Sequence, residues 1–322
     1  MSITTLLSVS IRFLGSILLV AMGGLIADRV NMFNLALEGF MLISAFAAVV
    51  GTHYTQNVWA GVFFGVLASV VLIVIYAIFI FELKVEPIIC GIAIITTTGG
   101  LTRYLLIPIF GVSGRFILSS NLSIPVIESS WLEKIPFIGQ ILNSQSILVY
   151  IALITPFVIW FVLYKTNLGL NMRAVGLNAE AAASAGIKVK RIQYGALIAN
   201  GILCGLGGAQ LALALNMFNV GMTDGRGFTA IAAIALASGR PILTALACLL
   251  FSISESLVVA LSGTGVSTYL LGSIPYVLAL LAAISPQLVK KILWAYKRGV
   301  SQNNVIKAYY EDKESKGQIS VN

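Results

Sequence analysis

The chain has 322 residues and a net charge of +8, with 58% hydrophobic and only 10% charged positions. A soluble globular domain carries about 25% charged and 45–50% apolar residues. The imbalance excludes a soluble enzyme, a nucleic-acid-binding domain and a disulfide-rich secreted module.

The apolar residues form blocks that suit a bilayer, whose ~30 Å hydrocarbon layer takes roughly 20 helical residues to cross. Residues 58–81 are 24 uncharged positions, and residues 241–289 are 49 positions interrupted only by Glu255. The fold class expected is all-α, a polytopic integral membrane protein. Lys and Arg fall in the short gaps between blocks, which reads as membrane orientation and not as a nucleic-acid patch.

In chain order, residues 3–27 come first. No Lys or Arg precedes Arg12, so this stretch reads as a retained membrane helix and not as a signal peptide. Arg12 near its start can snorkel to the interface. Further elements are expected at 32–52, 57–82, 86–107, 146–165, 192–217, 226–239, 241–262 and 268–289. That makes about eight or nine membrane-embedded helices. The clearest breaks are Asp28/Arg29, Glu82-Leu83-Lys84, Pro108 and Gly263-Thr264-Gly265.

Two elements are unusual. Residues 32–52 open with Asn34 and Glu38, placed four apart to share one helical face. Residues 227–239 give 13 uncharged positions between Arg226 and Arg240. At 1.5 Å per residue that is roughly 20 Å, too short to cross unaided. Broken or half helices persist at membrane depth only where protein or a water-filled cavity covers them.

Basic residues set the orientation. Lys165, Arg173, Lys188, Lys190 and Arg191 gather in one connection, against the single acid Glu180, and Lys290, Lys291, Lys297 and Arg298 in another. Both are expected on the cytoplasmic side. Counting back places the N-terminus outside and Arg29 and Lys84 inside, provided 226–239 counts as a crossing. Connections 52–57, 108–145, 218–225 and 262–267 then lie outside. Of these, 108–145 is the longest, and its part 131–137 mixes aromatic and charged residues as an interfacial segment would. Residues 1–296 read as one membrane domain and 297–322 as a solvated cytoplasmic tail.

Chemistry is sparse. Cys90, Cys204 and Cys248 lie in apolar stretches and read as small buried hydrophobes. His53 is the only histidine and reads as a solvated loop residue, so no metal site is expected. No catalytic residue and no phosphate-binding GxxxxGK[ST] loop is found. The intramembrane acids Glu38 and Glu255 are more informative, because a charge at that depth costs at least ~2.5–3.5 kcal/mol and needs a partner or a cavity. Each either lines a solute path or bonds one helix to another. Asn200, Gln210 and Asn216 share the 192–217 element, and Asn200 and Asn216 could share a broad polar face. Gly201, Gly205 and Gly208, like Gly61 and Gly65, have the spacing of close helix packing.

The segment TNLGLNMRAVGLNAEAAASAGIKVKRIQY, residues 166–194, carries a short helix. Asn178 suits its N-cap, Glu180 suits the positive first turn, and Gly186 suits its end. Ala181 and Ala182 give it a small surface that would fit a groove on another protein.

From Arg173 to Ile187 the segment resembles the coupling loop of ABC-transporter permeases of the ribose, branched-chain amino acid and nucleoside importers, with the pattern R-A-x-G-x-N-x-x-A-A-x-x-x-G-I. Residues 27–48, ADRVNMFNLALEGFMLISAFAA, are similar to a segment of purine-nucleoside-type permeases, with Asn34, Leu35, Glu38 and Gly39 matching. Asp28 and Phe33 depart mildly from that pattern. The resemblance implies a permease of a bacterial plasma (inner) membrane. It also implies a second, non-identical permease subunit and an ATP-binding cassette subunit that docks on the loop 166–191 through Arg173, Gly176, Asn178, Glu180, Ala181, Ala182 and Gly186. An extracellular substrate-binding lipoprotein would deliver the solute, and ATP and Mg would be bound by the partner, leaving this chain without cofactor. The expected solutes are nucleosides, with Asn34, Glu38, Asn200, Gln210, Asn216 and Glu255 along their path. A simple sugar such as ribose or galactose is the alternative, and a stand-alone secondary carrier the alternative from another class.

Overall fold

Apolar blocks end where the sequence supplies a stop, and the helices follow these stops closely. The computed structural model describes residues 3–119, 122–127 and 138–262, with Val277. The elements expected at 131–137, 268–289 and 297–322 and the break at 263–265 lie outside them, Val277 apart.

Eleven helices are described: α1 (Ile3–Asp28), α2 (Leu37–Thr55), α3 (Val58–Phe81), α4 (Pro87–Phe110), α5 (Ile138–Leu142), α6 (Ile147–Lys165), α7 (Asn167–Leu177), α8 (Ala179–Ser184), α9 (Val189–Ala214), α10 (Arg226–Leu236) and α11 (Pro241–Leu261). Among the described residues seven helices are long and apolar enough to cross a membrane: α1, α2, α3, α4, α6, α9 and α11. With the short α10 this is the polytopic all-α architecture expected.

Local chemistry sets the boundaries. Asn57 caps α3 by accepting the Trp59 amide at 2.9 Å. Pro87 opens α4, where a missing N–H is harmless. The expected break at Pro108 is not where α4 stops. Pro108 sits inside its last turn, and Gly111, at φ 70°, ends the helix. The second element also starts later than expected. Asn31 has φ 58° and residues 32–36 are not helical, so α2 begins at Leu37.

The core is built by α1, α2 and α9, with α9 packed on α1, α2 and α3. Glycines permit that approach. A Cβ on Gly205 would meet the Val66 backbone at 2.7 Å, and one on Gly208 would press into the Met41 carbonyl. Ser44 Oγ donates to the Gly205 carbonyl at 2.5 Å and fixes α2 on α9. Gly61 and Gly65 meet Ala48 and Ser44 in the same way, so the small-residue spacings mark packing. His53 is not a solvated loop residue. It lies in the last turn of α2, edge-on to Phe110 and Phe116 at 5.3 and 5.2 Å.

Four short strands tie the connections at one end of the bundle. β1 (Arg115–Ile117) pairs antiparallel with β4 (Met217–Asn219), Phe116 opposite Phe218. β2 (Val126–Ile127) pairs with β3 (Gln145–Ser146). The 108–145 and 218–225 connections therefore lie at the same end, as the orientation argument requires.

Candidate functional site

The half helix α10 organises the intramembrane charges. Its first turns leave backbone N–H groups without helical partners and present the positive end of a dipole. Glu38, in the first turn of α2 and 8% exposed, supplies the counter-charge. Its Oε1 accepts the Gly225 amide at 3.0 Å and its Oε2 the Gly227 amide at 2.7 Å. Gly225 is at φ 79°, the left-handed conformation that turns the chain into α10.

Arg226, between these glycines, points the other way. Its Nε donates to Glu255 Oε2 of α11 at 3.0 Å, and the two side chains are 14% and 13% exposed. The guanidinium also lies 5.2 Å over the Phe13 ring of α1 and donates to the Met222 carbonyl at 3.0 Å. Residues 225–227 thus join two acids that are 217 positions apart in sequence, Glu38 by backbone and Glu255 by side chain.

The far end of α10 is also held. Arg29 Nε donates to the Gly239 carbonyl at 2.9 Å, and Nη2 donates to the Ser238 carbonyl at 2.9 Å and also reaches the Gly239 carbonyl. Since β4 pairs with β1 and Gly239 meets Arg29, residues 217–239 run from one end of the bundle to the other. The short element is a crossing, made half of turn and half of helix.

The other polar residues expected on a solute path do not join this cluster. Asn34 does not share a helical face with Glu38, because α2 starts after it. Its Oδ1 accepts the Ala36 amide at 2.9 Å in a local turn, and its buried Nδ2 has no hydrogen-bond partner among the described residues. Asn216 does not share a face with Asn200, because α9 ends at Ala214 and Asn216 has φ 55°. Its Nδ2 donates to the Ser119 carbonyl at 3.2 Å. Asn200 accepts from Cys204 Sγ at 3.0 Å, and Gln210 accepts from Ser146 Oγ at 2.8 Å, both fully buried. The sequence offered Arg226 only as the border of a short block, and nothing in the spacing tied it to Glu255.

At the other end of the spanning helices, 166–191 forms two helices where one was expected. Thr166 caps α7 by accepting the Gly169 amide at 3.2 Å. Asn178 caps α8, its Oδ1 accepting the Ala181 amide at 3.0 Å, and Gly186 at φ 85° ends it. Glu180 and Ala181 are exposed. Ala182 is not part of that surface. It is 4% exposed and faces inward, with its carbonyl accepting the Ile187 amide at 3.0 Å. Arg173 lies 5.2 Å over the Tyr164 ring. Gly176 is pressed against the Arg29 carbonyl, where a Cβ has no room.

A helical bundle with a half-helix crossing, capped by an intramembrane carboxylate, is the build of a membrane transport protein. The chain belongs to the family described as branched-chain amino acid transport system / permease component, whose pattern matches residues 6–284. It is 32% identical over 256 residues to a putative glucose ABC transporter permease of Haloferax volcanii, covering 78% of this chain and 76% of that protein. It is 31% identical over 250 residues to a nucleoside ABC transporter permease of Lactococcus lactis, covering 74% and 77%. A guanosine ABC transporter permease of Bacillus subtilis is 28% identical over 271 residues, covering 80% and 84%. No solved structure gives a significant match. The chain is a multi-pass membrane permease component.

Proposed function

We propose that the chain is a membrane-spanning subunit of an ATP-driven importer that carries nucleosides across a bacterial plasma membrane. The observation that carries this reading is the pair of relatives named for nucleosides and guanosine, each aligned over about three quarters or more of both chains. The segment Asn34-Leu35-Ala36-Leu37-Glu38-Gly39 agrees with it through its resemblance to purine-nucleoside-type permeases, and its Glu-Gly pair also has a structural use. Glu38 caps α10, and Gly39 lies against Ile94 and Thr98 of α4, where a Cβ would sit 2.9 and 3.1 Å from their side chains.

In this reading ATP and Mg are bound by a separate subunit, and this chain makes and breaks no covalent bond. The ATP-binding subunit docks on the exposed side of α8 and beside Arg173 of α7, while Gly176 packs on the Arg29 carbonyl within this chain. A second, non-identical permease completes the path, a reading supported by two nucleoside permease proteins of Lactococcus lactis that both resemble this chain. An extracellular binding protein presents the solute at the β1–β4 end.

A sugar as cargo is the second reading, favoured by the glucose-permease relative. Uptake of labelled guanosine, adenosine, uridine and glucose by cells with and without the chain separates the two. Nucleoside uptake that disappears with the chain supports the first reading, and loss of glucose uptake alone overturns it.

A further inference from the structure

Four helices of this bundle turn broad faces outward, and one of them is built differently. On α3 every exposed residue is apolar: Trp59, Phe63, Phe64, Leu67, Val71, Ile75, Ile78 and Phe79. Those of α6 and α11 are likewise apolar over their middle turns, with Ile151, Ile154 and Phe157 on one and Leu246 and Leu250 on the other. Such faces suit lipid. On α4 the exposed arc carries Thr96, Thr97, Gly100, Arg103 and Tyr104. At 100° per residue these five fall within roughly 120° of the circumference, opposite the buried Ile94, Thr98 and Thr102.

The position along the helix matters as much as the face. α4 runs from Pro87 to Phe110, so Thr96, Thr97 and Gly100 lie at its middle and Arg103 and Tyr104 open its last third. Ile89 and Ile92 below and Ile107 above are exposed on the same arc. Arg103 is therefore two turns inside the helix end, and among the described residues it has no hydrogen-bond or ion-pair partner. A guanidinium at such depth is unfavourable against lipid and faces an aqueous cavity or an acceptor. Gly99 and Gly100 meet nothing within 4 Å where a Cβ would stand, so the wall is open there. Among the described residues no acid pairs with this charge, and the intramembrane acids Glu38 and Glu255 are engaged at α10.

We propose that the band Thr96-Thr97-Gly100-Arg103-Tyr104 of α4 lines the water-filled solute path and makes direct contact with the cargo. The path then runs along the outer side of α4, between this subunit and its permease partner, and not through the polar residues inside the bundle. The chemistry selects an acceptor-rich solute. Arg103 presents a planar fork of donors that pairs with adjacent carbonyl and ring-nitrogen acceptors. Tyr104, 70% exposed, adds a flat aromatic surface. If the cargo is a nucleoside, a part that rests on the function proposed above, the Arg103 fork matches the carbonyl and ring-nitrogen edge of a purine.

The experiment is thiol labelling of the assembled transporter in membranes, with a charged, membrane-impermeant maleimide. Single substitutions Thr97→Cys, Gly100→Cys and Arg103→Cys are compared with Val71→Cys and Leu246→Cys on apolar exposed faces. Native Cys90, Cys204 and Cys248 are buried and set the background. Rapid labelling at all three α4 positions, with none at 71 and 246, is the expected result. Labelling of α4 as slow as at Val71→Cys overturns the proposal, because the face then meets lipid or protein. This arm needs no knowledge of the cargo, so it stands even if nucleosides are not carried. The second arm is uptake of limiting labelled guanosine by Arg103→Ala and Arg103→Lys. Loss of a charge-assisted hydrogen bond predicts a fall of roughly tenfold or more in Arg103→Ala, with partial rescue by Lys. Unchanged uptake in a normally assembled Arg103→Ala overturns contact with the cargo.

Discussion

Gly227 donates its amide to Glu38 Oε2 at 2.7 Å, and no side chain fits between them, since a Cβ on Gly227 would press into the Glu38 backbone. Two segments that sequence separates by 189 positions are therefore in van der Waals contact at the start of a half helix. Both carboxylate oxygens of Glu38 are taken by α10 amides, which makes it a cap before anything else.

Glu38→Gln replaces one of two charged acceptors by an amide donor aimed at a backbone N–H. The expected loss is about 1–3 kcal/mol of stability. A thermal-melt series of the solubilised transporter should show it, with apparent substrate affinity unchanged in the fraction that assembles. An altered affinity at unchanged melting temperature would return Glu38 to the solute path.

Arg226 and Glu255 should behave as a unit. Leaving either one alone in a buried site costs about 3–5 kcal/mol, whereas an apolar pair of similar volume avoids an uncompensated charge. Arg226→Met and Glu255→Leu singly should each abolish assembly, and the double variant should recover part of it. Additive losses in a double-mutant cycle would show that the pair is not coupled.

The docking surface proposed on α8 can be separated from the folding of that helix. Ala181→Arg adds bulk on the exposed side and should leave membrane insertion normal while blocking transport and retention of the ATP-binding subunit. Ala182→Arg buries a charge under the same helix and should lower the amount of inserted protein instead. Normal transport by Ala181→Arg would remove α8 from the docking surface.

Orientation is checked at two helix ends. Gln56→Cys follows α2 and should react with an external impermeant reagent in intact cells, while Lys84→Cys, between α3 and α4, should react only after the membrane is opened. Labelling of both from outside would overturn the crossing count.

The long spans were legible because length and composition alone decide them, as with 58–81. The shortness of 227–239 was legible for the same reason, since 13 uncharged residues cannot span unaided, but length alone left open whether the segment crosses or re-enters. Its geometry was not legible. Periodicity carried Asn34 onto the α2 face, but Asn31 adopts a left-handed backbone and Asn34 bonds its own turn instead, as short polar side chains do. The partners of Glu38 are backbone amides of residues 225 and 227, which leave no mark on side-chain identity beyond glycine. Arg103 and its threonines lie inside an apolar block whose length alone defines a span, so their shared face becomes visible only from burial.

Arg29 touches two neighbours at once, with the Gly176 turn of α7 against its carbonyl and the α10 end held by its guanidinium. The first contact is backbone against backbone, so it has no side-chain rotamer with which to yield. α7 therefore bears on residue 29 through backbone alone, with no side chain between them. The same residue holds the 238–239 carbonyls through its guanidinium, so α7 and the foot of α10 meet on one residue. Stiffness here comes from the smallest residue in the chain, because a larger one would have introduced a cushion.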